Sequence, residues 1–331
     1  MSFDVEEVLY FGEEAIKAGN KHLEIILVPA WGSNLISLVY KPTREKILRS
    51  PNSAEEFRAN QILYGVPVLF PPNRIGGGTF TFRGRVYRLD VNEEDKNNHI
   101  HGFLHGERWR LVRAESGEHG PVVETRIDVD STSHPAIYRQ FPHDFSVEMS
   151  YRLNGMAVCQ EATIVNHGRE PFPWGFGYHT SFSFPENTSR FALTAEKRWK
   201  LNERLLPTGE LEDIEYKNLL SQGMSLDGFP LDDAFLASVS ADGTSEASIV
   251  LQDGTGGDGL RIRYRGDKNF KHWVVYNADG KRGFICPEPY TWVTNAPNLT
   301  LSASLTGIQV LSPGERVTVK TEMLVSIIAQ S

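Results

Sequence analysis

Apolar and polar residues alternate with period two along most of the chain, in runs too short for long helices. Residues 22–28 and 34–40 flank a Pro-Ala-Trp-Gly turn, and residues 79–82 and 86–89 flank Arg83-Gly84-Arg85. Residues 145–153 and 158–165 flank Asn154-Gly155, a strong hairpin signal. Residues 249–252, 260–264 and 317–327 extend the pattern. Side chains alternate across a strand, so each run can turn one face to a core. Helical signals are few. Ser53-Ala54-Glu55-Glu56 reads as a capping box opening a brief helix towards Leu63, and a second helix is expected over roughly residues 214–220. No repeat, low-complexity tract or Pro/Ser-rich linker divides the chain. The pattern predicts an all-β fold, a large antiparallel sandwich with a few short helices, formed as one domain over residues 1–331.

Residues 171–185, PFPWGFGYHTSFSFP, carry the clearest two-faced pattern. One parity holds Trp174, Phe176, Tyr178, Thr180, Phe182 and Phe184, which can pack a core. The other holds Gly175, Gly177, His179, Ser181 and Ser183. Glycine inside a strand often marks close approach by a ligand or another backbone. The strip alone leaves both open. An imidazole standing on that strip can exchange protons near neutral pH, or can serve only as a structural histidine in a crowded sandwich.

Composition narrows the class. The length of 331 residues allows one large β domain or two ordinary ones. Hydrophobic content of 40% and charge of 23% fit a soluble globular protein. A net charge of -8 without a dense Lys/Arg block argues against nucleic acid or an anionic membrane as partner. No apolar run reaches the length of a membrane span, and the N-terminal MSFDVEEVLYFGEE lacks a signal-peptide layout. Two cysteines, Cys159 and Cys286, argue against a disulfide scaffold and lead us to expect a cytoplasmic protein. Oligomeric state is not legible.

Three further stretches can carry chemistry. In residues 286–291, CPEPYT, Glu288 lies between Pro287 and Pro289, each of which restricts the backbone. That stiffness can place a catalytic carboxylate accurately, or Glu288 can be an exposed loop residue beside structural prolines. In residues 64–78, YGVPVLFPPNRIGGG, Arg74 can donate a planar fork of hydrogen bonds to ligand oxygens, or form a salt bridge before a hairpin. A P-loop is rejected, because Thr79 and Phe80 begin a strand and no Gly-Lys-Ser/Thr ending is present. Residues 92–109 contain His99, His101 and His105, whose spacing suggests a metal. A cupin-type motif fails at both ends, at Glu93 and at His105-Gly106, so His101 beside Gly102 reads better as a polar contact next to open backbone. Asp232 and Asp233, just before Ala234-Phe235, read as a solvated turn or as a weak site candidate.

Together these segments resemble the aldose 1-epimerase (galactose mutarotase-like) family. Asn73-Arg74-Ile75 precedes a glycine-rich turn; His101-Gly102-Phe103, Gly177-Tyr178-His179, Asp232 three residues before Phe235, and Glu288-Pro289 follow in the family's order. The similarity runs over about residues 20–325. It implies a β-supersandwich, with no metal and no organic cofactor. It also implies Glu288 as general base and His179 as general acid. Arg74, His101 and Asp232 fall on the positions that hold the sugar's oxygens. With the resemblance, the glycines beside His179 are expected as the floor of a sugar site. Two departures stand out: a single glycine follows His101 where many members carry two, and the Asp232-Asp233 doublet leaves the aspartate open, with Asp232 favoured by its spacing to Phe235.

The function this implies is interconversion of the α and β anomers of a free hexose such as galactose or glucose. A carboxylate takes the O1 proton and an imidazolium gives one to O5, so activity is expected to be bell-shaped in pH. Three other readings fit less well. A glycoside hydrolase needs two carboxylates at the scissile bond and leaves the histidines without a role. A hexose-6-phosphate mutarotase needs further cations, for which Arg83, Arg85 and Lys271 are candidates. A non-catalytic sugar-binding protein has no use for paired acid and base. The expected partner is a monosaccharide.

Overall fold

The computed structural model describes residues 4–252 and 258–329. The first three residues of the N-terminal segment, and both ends of the expected 1–331 domain, lie outside them. Two large sheets carry the fold. The first runs in the order Arg110–Gly117, Gly120–Val129, Phe145–Asn154, Ala157–Asn166, Arg316–Ile328, Gly259–Gly266, Ser245–Leu251 and Arg190–Leu193. The second runs Pro207–Glu212, Ala195–Leu201, Asp232–Ala237, His272–Tyr276, Phe284–Tyr290, Gly177–Tyr178 and Val68–Leu69, with Phe182–Ser183 also paired to Phe284–Tyr290. Their pairings are antiparallel. A five-stranded N-terminal sheet begins with Asp4–Tyr10 and Glu13–Gly19, two polar strands that the alternation did not single out. The all-β antiparallel expectation is met.

Alternation explains why these segments are strands. Along Phe145–Asn154 the residues Phe145, Val147, Met149, Tyr151 and Leu153 are buried, while Glu148, Ser150 and Arg152 are more open. One core cluster joins all three sheets, through Leu23 and Ile25, Val147 and Ile164, and Trp273 and Val275. Burying such a side chain stabilises by roughly 1.5–3 kcal/mol, against about 0.5–1.5 kcal/mol net for a ladder hydrogen bond. Side-chain burial therefore dominates the sandwich.

Local expectations are met with small shifts. The 145–166 hairpin pairs Asn154 with Ala157, so its two turn residues are Gly155 and Met156, with Gly155 at φ 59°, one step later than the Asn-Gly signal. The capping box holds: Glu56 N–H donates to Ser53 Oγ at 3.1 Å, and Asn52 N–H to Glu56 Oε2 at 2.7 Å. That helix is Ala54–Ala59, followed by a separate 3-10 turn at Gln61–Leu63. The second expected helix is Lys217–Gln222, and two short ones, Pro135–Gln140 and Ala303–Thr306, carried no clear sequence signal.

The 171–185 stretch is not one strand. It divides into Phe172–Trp174, Gly177–Tyr178 and Phe182–Ser183, paired with different neighbours. Its glycines are not the floor of a site. A Cβ on Gly175 would stand 2.1 Å from the Trp292 indole, and one on Gly177 would stand 2.2 Å from the Tyr290 ring. The bare strip seats aromatic rings of the neighbouring chain segment.

Candidate active site

The pairing of this stretch with Phe284–Tyr290 brings His179 to Glu288. Gly177 stands opposite Tyr290, and Phe182 opposite Ile285. Continuing that register places His179 opposite Glu288. Between the two paired points, Pro287 and Pro289 offer no N–H to a ladder. The facing chain turns away there: His179 N–H donates to Pro67 O at 3.1 Å and Ser181 N–H to Gly65 O at 2.9 Å. The interrupted ladder leaves His179 Nε2 3.2 Å from Glu288 Oε1. Glu288 lies in a strand at 1% exposure, which removes the exposed-loop reading, and His179 is 4% exposed.

Strand parity sorts the aspartates. Asp232 stands opposite Tyr276, and Val274 opposite Glu288, so Asp232, Tyr276, Val274 and Glu288 share one face of the sheet. All four line a cavity of about 400 Å³ with Asn73, Arg74, His101 and His179. Asp233 faces the other way, with its Oδ1 3.4 Å from Arg198 Nη1. The five residues expected at the site therefore line one hollow.

Arg74 crosses from the small strand Arg74–Gly76, which pairs with Asn98–Ile100. Its Nε donates to both oxygens of Glu93 at 3.0 and 3.1 Å, and its Nη2 lies 3.9 Å from Asp232 Oδ2. Both readings of Arg74 meet here: it is salt-bridged and it faces the cavity. His101 holds a left-handed backbone at φ 67°, and its ring meets His179 edge-on at 5.2 Å between centroids. The following Gly102 has no room for a side chain, since a Cβ would stand 2.3 Å from the Phe70 carbonyl. His99 and His105 do not converge with His101. Their Nδ1 atoms contact Asp90 O at 2.8 Å and His101 O at 3.2 Å. Among the described residues no group of three or more His, Cys, Asp or Glu side chains is placed to hold a metal.

Burial governs the charge states. It pushes the Glu288 carboxyl well above its ordinary value; the Tyr290 hydroxyl and Arg74 pull it down, while Asp232 pushes it up. Burial also lowers His179 to about 3 and holds His101 well below 6.5. Both shifts disfavour charge. The pocket as it stands therefore favours one proton on the Glu288 carboxyl and a neutral His179. Moving that proton from Oε1 to Nε2 yields the expected carboxylate–imidazolium pair at no change in total charge.

Four residues of the site were not legible. Glu93 and Lys96 enter from the turn before Asn98, and no spacing announces them. Among the described residues, Tyr276 is the one Phe, Tyr or Trp lining the cavity. Tyr290 donates to Glu288 Oε2 and accepts from Asn73 Nδ2 at 3.2 Å. Its place two residues after Glu288 on one strand is a parity signal. Two larger hollows of about 540 Å³ lie beside Arg261 and beside Leu9, and neither is lined by a histidine.

A family model described as Aldose 1-epimerase matches residues 14–324. Among curated proteins, the chain is 26% identical over 201 residues to the Uncharacterized protein YihR of Escherichia coli, across 59% of this chain and 58% of that one. It is 24% identical over 196 residues to the galactose mutarotase of Homo sapiens, across 56% and 54%. Those matches span little more than half of the relatives' length. A galactose mutarotase-like protein from Clostridium acetobutylicum has a crystal structure that matches with a TM-score of 0.90 at 28% identity, over 98% of both chains. Among the described residues no helix is long and apolar enough to cross a membrane.

Proposed function

The chain belongs to the aldose 1-epimerase family, and from that premise we propose that it interconverts the α and β anomers of a free aldohexose such as galactose or glucose. The observation that carries this reading is the contact of His179 Nε2 with Glu288 Oε1 at 3.2 Å, in a hollow also lined by Arg74, His101 and Asp232. Ring opening needs one proton removed from O1 and one delivered to O5. Glu288 takes the first and His179 gives the second. As the C1–O5 bond breaks, its electron pair goes to O5 and C1–O1 becomes a carbonyl. Rotation about C1–C2 presents the other face, and the two groups exchange roles as the ring closes. His101 contacts the O5 region, and Arg74 and Asp232 hold hydroxyls further round the ring. Tyr276 offers the aromatic face for the sugar's C–H side. The site draws on residues from Asn73 to Glu288, which supports reading residues 1–331 as one working domain.

A neutral substrate fits better than a phosphorylated one. Among the described residues the cations lining the cavity are Arg74 and Lys96, and each faces a carboxylate: Glu93 for Arg74, and Asp95 at 2.9 Å for Lys96. Arg83, Arg85 and Lys271 do not line it. Polarimetry on freshly dissolved α-galactose and α-glucose tests the reading. Glu288→Gln and His179→Asn should each slow mutarotation about 10²–10⁴-fold. Equilibration by the unaltered protein at the buffer rate, with sugar still bound, would instead mark a binding protein. The pair works while it shares one proton. Activity should be lost in acid as a second proton binds, towards the His179 value of about 3, and in alkali as the only proton leaves the raised Glu288. The pH–rate profile should be a broad plateau; a single limb centred near 6.5 would rule out the shared proton.

A further inference from the structure

We propose that Tyr290 is a positioning residue that occupies Oε2 of Glu288 and so confines proton exchange to Oε1. Hydrogen-bond direction carries the argument, starting from a donor whose hydrogen is certain. The backbone N–H of Arg74 donates to Asn73 Oδ1 at 2.9 Å, with Arg74 Nη1 3.5 Å from the same oxygen. That contact fixes which end of the Asn73 amide is oxygen. The amide nitrogen then points at Tyr290 Oη, 3.2 Å away, and must donate to it. A phenol has one hydrogen, and Tyr290 Oη is in contact with Glu288 Oε2, so that hydrogen goes to the carboxylate oxygen. A proton placed on Oε2 would leave the phenol hydrogen without that acceptor, so Oε2 stays the acceptor when Glu288 is protonated as well as when it is ionised. The mobile proton is left on Oε1, the oxygen that faces His179 Nε2.

The surroundings hold Tyr290 in this role. Its ring is fully buried and lies against Gly177, the cross-strand partner two residues before His179. The two strands thus bring acid, base and tether into one register. Asn73 adopts a left-handed backbone at φ 54°, which a side chain other than Asn, Asp or Gly adopts at a cost, and that conformation accompanies the bond to Arg74 N–H. Tyr290 touches no reacting atom. It acts through Glu288, by keeping one oxygen occupied and by stabilising the carboxylate that forms when the proton leaves.

This inference rests on the reading that Glu288 exchanges a proton with a sugar, yet its test separates from that reading. Tyr290→Phe keeps the ring on Gly177 and removes only the hydroxyl. Glu288 titration, followed by carbon NMR on protein labelled at glutamate, should move up by about one pH unit or more, the size expected for a lost hydrogen bond to a charged group. The alkaline limb of kcat/KM should move with it, and kcat should fall about tenfold. Asn73→Ala, which frees the phenol to turn, should shift Glu288 the same way by less. If both profiles stay where they are in Tyr290→Phe, the tether is overturned while mutarotation stands. If the unaltered protein shows no mutarotation but Glu288 still shifts in Tyr290→Phe, the functional reading falls and the tether stands.

Discussion

Asp232 and Asp233 are chemically identical and adjacent, yet only one faces the cavity. A strand turns consecutive side chains to opposite faces. Asp232 stands beside Tyr276 over the cavity, and Asp233 stands beside Val275 and pairs with Arg198. Burial raises the pKa of both, and in each case an arginine pulls it back, Arg74 for Asp232 and Arg198 for Asp233. Their environments thus differ by partner rather than by charge. Asp232→Asn should weaken sugar binding and raise KM about tenfold, the loss of one hydrogen bond to a charged group. Asp233→Asn should leave KM and kcat near their starting values and change stability, read by urea unfolding, by less than about 1 kcal/mol, because the lost Arg198 pair is offset by relief of the buried charge. A KM rise confined to the Asp233 variant would exchange the two assignments.

At the scale of elements, the decisive feature is a ladder that stops where chemistry begins. Pro287 and Pro289 could be read as rigid neighbours of Glu288 from the chain alone, and the parity of residues 171–185 put His179 on the face of Gly177. What the chain could not show was that these two segments pair in the one register that sets His179 opposite Glu288. That depends on long-range pairing between residues about 110 positions apart, for which no local signal exists. The same gap hides what the glycines seat, since they look alike whether a sugar or a ring approaches them. Glu93 is hidden in the sequence for a related reason: it reaches Arg74 from a turn and belongs to no recurring motif. Gly177→Ala tests the ring-seat account. A Cβ there meets the Tyr290 ring and, at 2.8 Å, the Pro289 carbonyl. Overpacking should cost about 1–3 kcal/mol, and activity should fall as Tyr290 and Glu288 are displaced. A stable, fully active Gly177→Ala would show that the strip has room to spare.

Across the whole molecule, burial extends to histidines that do not line the cavity. His105 and His143 are lowered to about 4 and His272 to about 3, in each case chiefly because burial disfavours the charged ring. In the unfolded chain these groups titrate near 6.5. Above that pH both states are neutral and the shift has no effect. As pH falls below it, the unfolded chain binds protons that the folded state refuses, so stability declines down to the folded values. Each such histidine contributes up to about 1.4 kcal/mol per pH unit. Glu288 acts in the opposite sense, since its raised value favours the folded state once it is protonated, and it offsets the similar burden of His179. His105, His143 and His272, together with His99 and His101, which burial lowers in the same way, still bring a loss of a few kcal/mol per unit, large beside the usual 5–15 kcal/mol total. Thermal or urea unfolding should therefore show the midpoint dropping steeply between pH 6.5 and 4.5, before surface carboxylates begin to protonate. His272→Gln, which removes a ring whose Nδ1 accepts at 3.4 Å from Trp199 Nε1, should shallow that slope by one histidine's share, up to about 1.4 kcal/mol per pH unit. A midpoint that stays level from pH 6.5 to 4.5 would mean that these rings take up protons while folded, and that the core around them is wetter than its packing indicates.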